Sequence, residues 1–310
     1  MTAPAARPRA RPGRWLLLLA MASGTAHAQS YAWVPGEGHG SASIAVQELY
    51  IAIHTLSDGT HGHIGTITNR SVFLTVDYGL TDRLALNVQL PYKSNMFDGT
   101  VPHDPDHLED DHGETLIDDG EYHSGWQDLR VGLRYQVPAG RWMVTPFAAW
   151  GMPTNDYPTF AHAARGTGQW HLQGGVTVGR RFDPPFQNLH VSLGYAYSLM
   201  EEVEDRRVNH STLSGELGYF VTPRFGVSVL LVAQKTHNGF DYPDDYPNMH
   251  DDHFYHHDQN LRNDFLNIGA TASWRFDERH SGFVTWGRTL WGENTHLIDY
   301  AVTVGISRDF

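Results

Sequence analysis

The sequence predicts an all-β protein: a transmembrane antiparallel up-and-down β-barrel of about twelve strands. Three observations predict this fold, namely an export signal at the N-terminus, apolar and polar residues that alternate in about twelve segments, and connections that alternate between short and long. Bacterial transmembrane barrels have an even number of strands, short turns at one end and longer loops at the other. A soluble β-sandwich also has short strands and turns, but it does not require this alternation of connections.

The N-terminus has the three parts of a bacterial signal peptide. Residues 1–14 carry four arginines and no acidic residue, residues 15–22 are apolar, and Ala26-His27-Ala28 offers small residues at the two positions that a signal peptidase reads. The apolar run is too short for a membrane helix, which needs about 20 apolar residues. We therefore predict a signal peptide at residues 1–28, a short periplasmic segment at 29–40 and the barrel at 41–310.

Alternation with a period of two residues predicts the strands. The clearest segment places Leu129, Val131, Leu133 and Tyr135 on one face and polar residues or glycine on the other. In one segment, 224–237, Leu230 and Val232 fall on the polar face. The predicted strands cover 41–55, 66–79, 83–97, 124–137, 140–151, 169–182, 188–200, 209–222, 224–237, 261–276, 280–290 and 298–310.

The connections between these segments alternate in length. Short turns are predicted at 80–82, 138–139, 183–187, 222–223 and 277–279, and longer loops at 56–65, 98–123, 152–168, 201–208, 238–260 and 291–297. With both termini in the periplasm, the long loops lie on the outer side of the membrane.

The last predicted strand alternates apolar and polar residues and ends in Phe310. This resembles the C-terminal signal of bacterial outer-membrane barrels, which ends in an aromatic residue. The resemblance implies recognition by the barrel-assembly machinery, a location in the outer membrane of a Gram-negative bacterium, and membrane lipid as the surroundings.

Several turns and strand ends carry short characteristic stretches, namely residues 33–38, residues 78–83 with the following Leu90-Pro91-Tyr92, Gly125-Trp126-Gln127-Asp128-Leu129, and Pro153-Thr154-Asn155. Together they resemble the outer-membrane barrel family named for the meta-pathway of phenol degradation. Its members are described as transporters, so the resemblance implies a barrel and passage of small molecules, with aromatic compounds as the cargo. The usual glycine after Pro-Thr is Asn155 in this chain.

Composition excludes several classes of function. The chain has no cysteine, which excludes disulfides and thiol chemistry. Its formal net charge is −13, and removal of the four signal-peptide arginines makes it more negative, so nucleic acid is not an expected partner. No nucleophile elbow, H-E-x-x-H motif or P-loop is present, and we predict that the protein is not an enzyme.

Histidine and aspartate are concentrated in the outer loops. On the predicted topology, sixteen of the twenty histidines lie at the outer side, His54, His162 and His296 among them. No Lys or Arg occurs between Lys93 and Arg130 or between Lys235 and Arg262. Because imidazole suits zinc, copper and nickel, we predict that these loops can bind such a divalent metal, with no cofactor required. The candidate ligands are His61, His63, His103, Asp106, His107, His112, His250, His253, His256 and His257.

Charged residues also fall on the inward faces of the strands. The candidates for a hydrated lumen are Asp128, Arg130, Arg134, Glu216, Arg275 and Asp299. The leading hypothesis is a passive channel for small solutes or metal cations, with a mouth that attracts cations. Two alternatives stay open: a closed barrel that displays metal-binding loops as a scavenger or sensor, and a barrel for uptake of aromatic compounds. The sequence shows no clear apolar path for aromatic cargo.

Overall fold

The structure, a computed structural model, describes residues 32–100, 116–242, 244–245 and 252–310, with only the backbone at 252 and 253. The predicted signal peptide at 1–28 lies outside these residues and stays a prediction. The strands are β1 (Gly40–Thr55), β2 (His61–Gly62), β3 (Gly65–Gly79), β4 (Leu84–Gly99), β5 (His123–Trp126), β6 (Leu129–Tyr135), β7 (Val137–Ala139), β8 (Trp142–Met152), β9 (His171–Arg181), β10 (Leu189–Met200), β11 (Asn209–Thr222), β12 (Phe225–His237), β13 (Asp264–Arg275), β14 (His280–Glu293) and β15 (His296–Asp309).

Two short helices, α1 (Asp252–Tyr255) and α2 (His257–Asn260), lie between β12 and β13. Within the described residues, no helix has the length and apolar character needed to cross a membrane.

The strands form one closed antiparallel barrel. Strands that follow each other in the chain pair with each other, and β1 pairs with β15 from Ser41 opposite Asp309 to His54 opposite His296. The three segments β5, β6 and β7 follow one another along the same barrel strand, between β4 and β8. The two-residue strand β2 pairs with the outer end of β1 and is not one of the barrel strands. The barrel therefore has twelve strands, which confirms the predicted fold class.

The outer surface of the barrel is apolar in its middle. Alternate residues such as Val76, Leu193, Leu217 and Ile306 point outward and are exposed. Exposed tryptophans and tyrosines flank this band, with Trp126, Trp150, Trp170 and Trp291 towards the long loops and Tyr135, Trp142, Tyr219 and Trp274 towards the short turns. An apolar band between two aromatic girdles is the surface that a lipid bilayer requires.

Glycines on the inner face make room for bulky rings on the neighbouring strand. A Cβ atom on Gly175 would lie 2.6 Å from the ring of Phe147, and one on Gly305 would lie 2.4 Å from the ring of Phe283. Such contacts are too short, so the rings fix glycine at these positions. Rings that cover glycines in this way help to hold strand register.

The connections have the predicted alternation of short and long lengths except at the last outer loop. That loop, predicted at 291–297, is only Asn294-Thr295, because β14 and β15 extend further than their alternation indicates. Asn294 adopts a left-handed backbone with φ of 49°, and its side chain donates a hydrogen bond to Asp241. The turn is therefore tied to the loop between β12 and β13.

Candidate functional site

The lumen contains a cavity of about 470 Å³ in the middle and outer parts of the barrel. Volumes of this order accommodate small ligands. The wall is mixed in character, and its uncharged polar side chains include Gln47, Gln89, Gln173, Gln234, Asn267 and Thr303. These side chains stand on the inward face of strands whose outward face is apolar, as the alternation predicts.

The charged residues of the cavity wall are balanced in sign. Lys93, Arg130 and Arg165 are basic, and Asp128, Glu216 and Asp258 are acidic. Several of them are held by neighbours: the Arg130 guanidinium donates to the Gln173 side chain over 2.9 Å, and the Lys93 ammonium donates to the Arg165 carbonyl over 3.1 Å. A balanced wall gives the cavity itself little preference for one sign of ion.

Four phenylalanines belong to the apolar part of the wall: Phe73, Phe147, Phe265 and Phe283. Phe73 and Phe283 pack with Ala45 into a buried apolar cluster on one side of the lumen. Leu230 and Val232 also line the cavity. An apolar residue on an otherwise polar strand face is a sequence signal for such apolar parts of the wall. The alternation of β12 shows this signal at Leu230 and Val232.

Outer loops fold over the cavity and form what we call the roof: the described residues of 56–64, 116–122, 153–170 and 238–261. Its apolar core consists of Leu56, Phe160, Tyr242, Phe254, Tyr255 and Leu261, all buried. The Phe254 ring stacks on His257 with centroids 4.0 Å apart and meets Phe160 edge-on at 5.8 Å. The described part of the outer mouth is therefore a packed structure above the cavity.

Hydrogen bonds join the loops of the roof to each other and to the wall. The Gln259 side chain donates to the Thr167 carbonyl over 2.7 Å, which links the loop after β12 to the loop after β8. The Tyr157 hydroxyl donates to Asp128 over 2.7 Å. Burial raises the pKa of Tyr157 above its ordinary value, and nearby Asp128 raises it further, so the hydroxyl stays neutral and keeps this bond.

The segment before β1 enters the periplasmic end of the lumen. The Val34 amide donates to the Gln136 side chain over 2.9 Å, and Ala32 is buried. The closest atoms to a Cβ built on inward-facing Gly179 belong to Ala32 and Trp33. The segment therefore lies against the inner wall of β8 and β9 and narrows the periplasmic outlet.

A buried ion pair lies at the same end of the lumen, towards the periplasm from the cavity. Arg134 on β6 donates to Asp77 on β3, and their side chains are 6% and 10% exposed. The two strands are separated by β4, so the pair bridges the inner wall across one intervening strand.

The six predicted lumen residues occupy different positions. Asp128, Arg130 and Glu216 line the cavity, and Glu216 lies 3.6 Å from the His190 ring. Arg134 is held in the ion pair with Asp77. Arg275 is exposed at the periplasmic end of β13. Asp299 lies where the register between β1 and β15 shifts, and its carboxylate accepts a hydrogen bond from the Ala52 amide.

The structure separates the predicted metal ligands. His61 and His63 are exposed at the hairpin after β1. His256 is half-buried beside Gln259, and His257 is buried in the roof, where Nδ1 donates to the Phe254 carbonyl over 2.6 Å. His103, Asp106, His107, His112 and His250 lie outside the described residues, as does the side chain of His253. A site made of these ligands stays a prediction.

Comparison with known proteins shows similarity at the level of the fold. No protein-family model matches the chain, and no curated protein sequence matches it. The crystal structure of an outer-membrane channel of Pseudomonas putida F1 is 15% identical, with 91% of this chain and 99% of that chain covered and a TM-score of 0.69. The translocator domain of the autotransporter NalP from Neisseria meningitidis is 11% identical, with 89% and 90% covered and a TM-score of 0.50. The NanC porin is 10% identical, with 86% and 98% covered and a TM-score of 0.48.

The chain therefore has the fold of an outer-membrane β-barrel. Its apolar belt, its two aromatic girdles and its closed set of twelve strands are what residence in that membrane requires.

Proposed function

We propose that the protein is a passive channel that carries small solutes across the outer membrane. The observation that carries this proposal is the cavity inside the barrel, lined by both polar and apolar side chains, with the roof above it and the segment at Ala32 and Trp33 towards the periplasm. A barrel interior filled by packed side chains would have no such space. The similar fold of an outer-membrane channel supports the proposal.

The two narrow regions limit the size of the solute. The roof is held by apolar packing and by hydrogen bonds between loops. Loops held in this way open more easily than paired strands do. Passage then depends on transient opening of the roof and on the width of the outlet beside Trp33. No energy source is needed for such passage.

A second candidate cargo is a small aromatic molecule. The four phenylalanines of the cavity wall favour it, because aromatic rings bind one another in offset or edge-on arrangements. It is also the cargo that the resemblance to the phenol meta-pathway family implies. The apolar cluster of Phe73 and Phe283 would be the contact surface.

In this proposal, the outer loops are the part of the protein that attracts cations. The cavity wall is balanced in sign, whereas the sequence between Lys93 and Arg130 holds many carboxylates and no Lys or Arg. A concentration of negative charge at the mouth raises the local concentration of cations. The divalent metals zinc, copper and nickel are part of this proposal through the histidines of the same loops.

The test is single-channel recording of the refolded protein in a planar bilayer, together with swelling assays in liposomes. We expect small conductance steps in KCl, a cation-selective reversal potential, and permeation of small solutes only. Loss of selectivity at 1 M salt, where the Debye length is about 3 Å, would identify solvent-exposed fixed charge as its source. No conductance and no swelling would overturn the channel and favour a closed barrel that displays loops.

The cargo is tested with Phe73→Leu and Phe283→Leu. If aromatic solutes are carried, phenol added to the bath should reduce the KCl conductance of the unmodified protein and affect both variants less. A matched control is Phe186→Leu, because Phe186 is 63% exposed in a periplasmic turn. Equal inhibition of all variants would exclude the aromatic cargo and leave the channel itself intact.

A further inference from the structure

Three histidines that are far apart in sequence meet beneath the roof. His54 is the penultimate residue of β1, His296 begins β15, and His162 belongs to the loop between β8 and β9. All three side chains are buried, and one ring nitrogen from each lies within 4.8 Å of the others. His54 and His296 are cross-strand partners at the seam where the barrel closes, with ring centroids 3.9 Å apart.

A buried carboxylate fixes the orientation of His162. Asp118 accepts hydrogen bonds from the backbone amides of His162 and Ala163, at 3.0 and 2.8 Å, and lies 3.2 Å from Nδ1 of His162. A carboxylate can only accept, so Nδ1 carries the proton and Nε2 is the ring atom that offers a lone pair. Phe97 stacks on the same ring with centroids 4.3 Å apart, which leaves it little freedom to turn.

We propose that His54, His162 and His296 form a binding site for one transition-metal ion, zinc in the first place. Three imidazoles are a common ligand set for Zn²⁺, and a carboxylate that holds the far nitrogen of one of them is the usual second partner of such a ligand. The site differs from the exposed loop histidines, because its ligands are buried and come from strand ends and one folded loop.

The ring nitrogens of the three histidines are further apart than they would be around a bound ion. Zinc–nitrogen bonds of about 2.0–2.1 Å in a tetrahedron place the donor atoms about 3.3 Å apart. Small rotations of the His54 and His296 rings would close the difference, while Asp118 and Phe97 hold His162 in place. Three imidazoles leave the fourth position of a tetrahedral site for one further ligand, and the three histidines are the group that the described residues bring together.

A metal at this position would tie the roof to the seam of the barrel. His162 lies in the loop whose neighbours Phe160 and Ala161 pack into the roof and the inner wall. A bond from this loop to both β1 and β15 would stabilise the closed roof. The inference concerns metal binding and roof stability, and it does not depend on which solute passes.

The test is metal binding by the mature chain, refolded in detergent and stripped with EDTA. Because many other histidines bind metal weakly, we would titrate Zn²⁺ against a chromophoric chelator and record the visible spectrum with Co²⁺. We expect one tight equivalent of zinc and the intense absorption of tetrahedral cobalt. His162→Gln and His296→Gln should each weaken that equivalent at least about 100-fold, and Asp118→Asn about 10–100-fold.

The matched control is the double variant His61→Gln, His63→Gln, which removes two exposed histidines near the same strand end and should leave the tight equivalent unchanged. Heat-modifiable migration in gels shows whether each barrel has folded. Tight binding that survives in folded His162→Gln and His296→Gln, or that disappears in the control, would overturn the proposal. If a variant fails to fold, the cobalt spectrum of the unmodified protein tests the proposal by itself. Absence of the tetrahedral cobalt bands would then overturn the proposal.

Discussion

Inside the periplasmic end of the barrel, Thr145 donates a hydrogen bond to the carbonyl oxygen of Ala32 over 2.7 Å. The next residue is held as well: the Trp33 carbonyl accepts from Arg134 over 3.3 Å, and the Arg181 guanidinium lies 5.2 Å from the centre of the Trp33 ring. These contacts seat the segment before β1 in the lumen. These contacts therefore place the Trp33 side chain at the outlet.

Trp33→Ala should increase the single-channel conductance. The substitution removes the indole from the outlet but leaves the hydrogen bonds of the backbone carbonyls at Ala32 and Trp33 in place. The measurement is conductance in a planar bilayer at fixed KCl concentration. Trp142→Ala is the control, because Trp142 faces outward in the periplasmic girdle. An unchanged conductance in Trp33→Ala would place the narrowest point elsewhere.

Asp77→Asn should destabilise the barrel by about 3 kcal/mol, because it leaves the buried Arg134 guanidinium without its counter-charge. The double variant Asp77→Asn, Arg134→Gln should lose less stability than Asp77→Asn alone, since both charges are then absent. The measurement is reversible unfolding in urea from lipid vesicles. Additive losses in the double variant would show that the two side chains do not interact, contrary to the structure.

The exposed pair Arg207 and Glu202, in the loop between β10 and β11, provides the comparison for this ion pair. Their side chains approach to 3.4 Å and are 43% and 53% exposed. Water screens such pairs, so Glu202→Gln should change stability by less than about 1 kcal/mol. A loss as large as that of Asp77→Asn would mean that burial does not explain the difference.

Stability should fall in acid partly through Asp277, in the turn between β13 and β14. Hydrogen bonds from the Arg279 amide, the His280 ring and the His280 amide lower the pKa of Asp277 from 3.8 to about 2. A depressed pKa stabilises the fold above about pH 4, and this contribution is lost as the pH falls towards 2. We expect Asp277→Asn to reduce the slope of stability against pH in that window. Glu278→Gln in the same turn is the control, and an equal effect there would refute the assignment.

The barrel could be predicted because its signal is local and repeated. Outward Val76 and inward Asp77 differ by one position, and each strand repeats that contrast. In a transmembrane barrel, each strand faces lipid on one side and the lumen on the other, so apolar and polar residues must alternate along it. The twelve-strand count and the alternation of short and long connections followed from the same pattern.

The roof and the histidine cluster could not be predicted in the same way. Phe160, Tyr242 and Phe254 lie in loops without periodicity, so nothing in their spacing indicates that they pack together. The metal prediction relied on histidines close in sequence, whereas His54 and His296 meet only because the first and last strands pair. That pairing holds in every closed barrel, so histidines at the outer ends of β1 and β15 were a usable signal. The position of His162 depends on the folded loop.

Phe254→Ala should loosen the roof without unfolding the barrel. Phe254 is fully buried among Phe160, Tyr242 and His257, and truncation of a buried phenylalanine costs about 3–5 kcal/mol. Because Gln259 of α2 bonds to the loop residue Thr167, and Phe254 of α1 packs within the roof core, we expect the cost to fall on roof opening. The amides of Phe240 and Leu261, which donate to Asn260 and His257, should therefore exchange roughly 100-fold faster.

Hydrogen exchange followed by mass spectrometry separates roof opening from global unfolding. Peptides from β12 and β14 should exchange at the rate of the unmodified protein, whereas the peptide that contains α2 should exchange faster. In the bilayer, the same variant should spend more time open, because the roof stands between the cavity and the outer mouth. Phe186→Ala removes an exposed ring in a periplasmic turn and should alter neither measurement. Faster exchange without any change in open time would show that the roof moves but does not gate the channel.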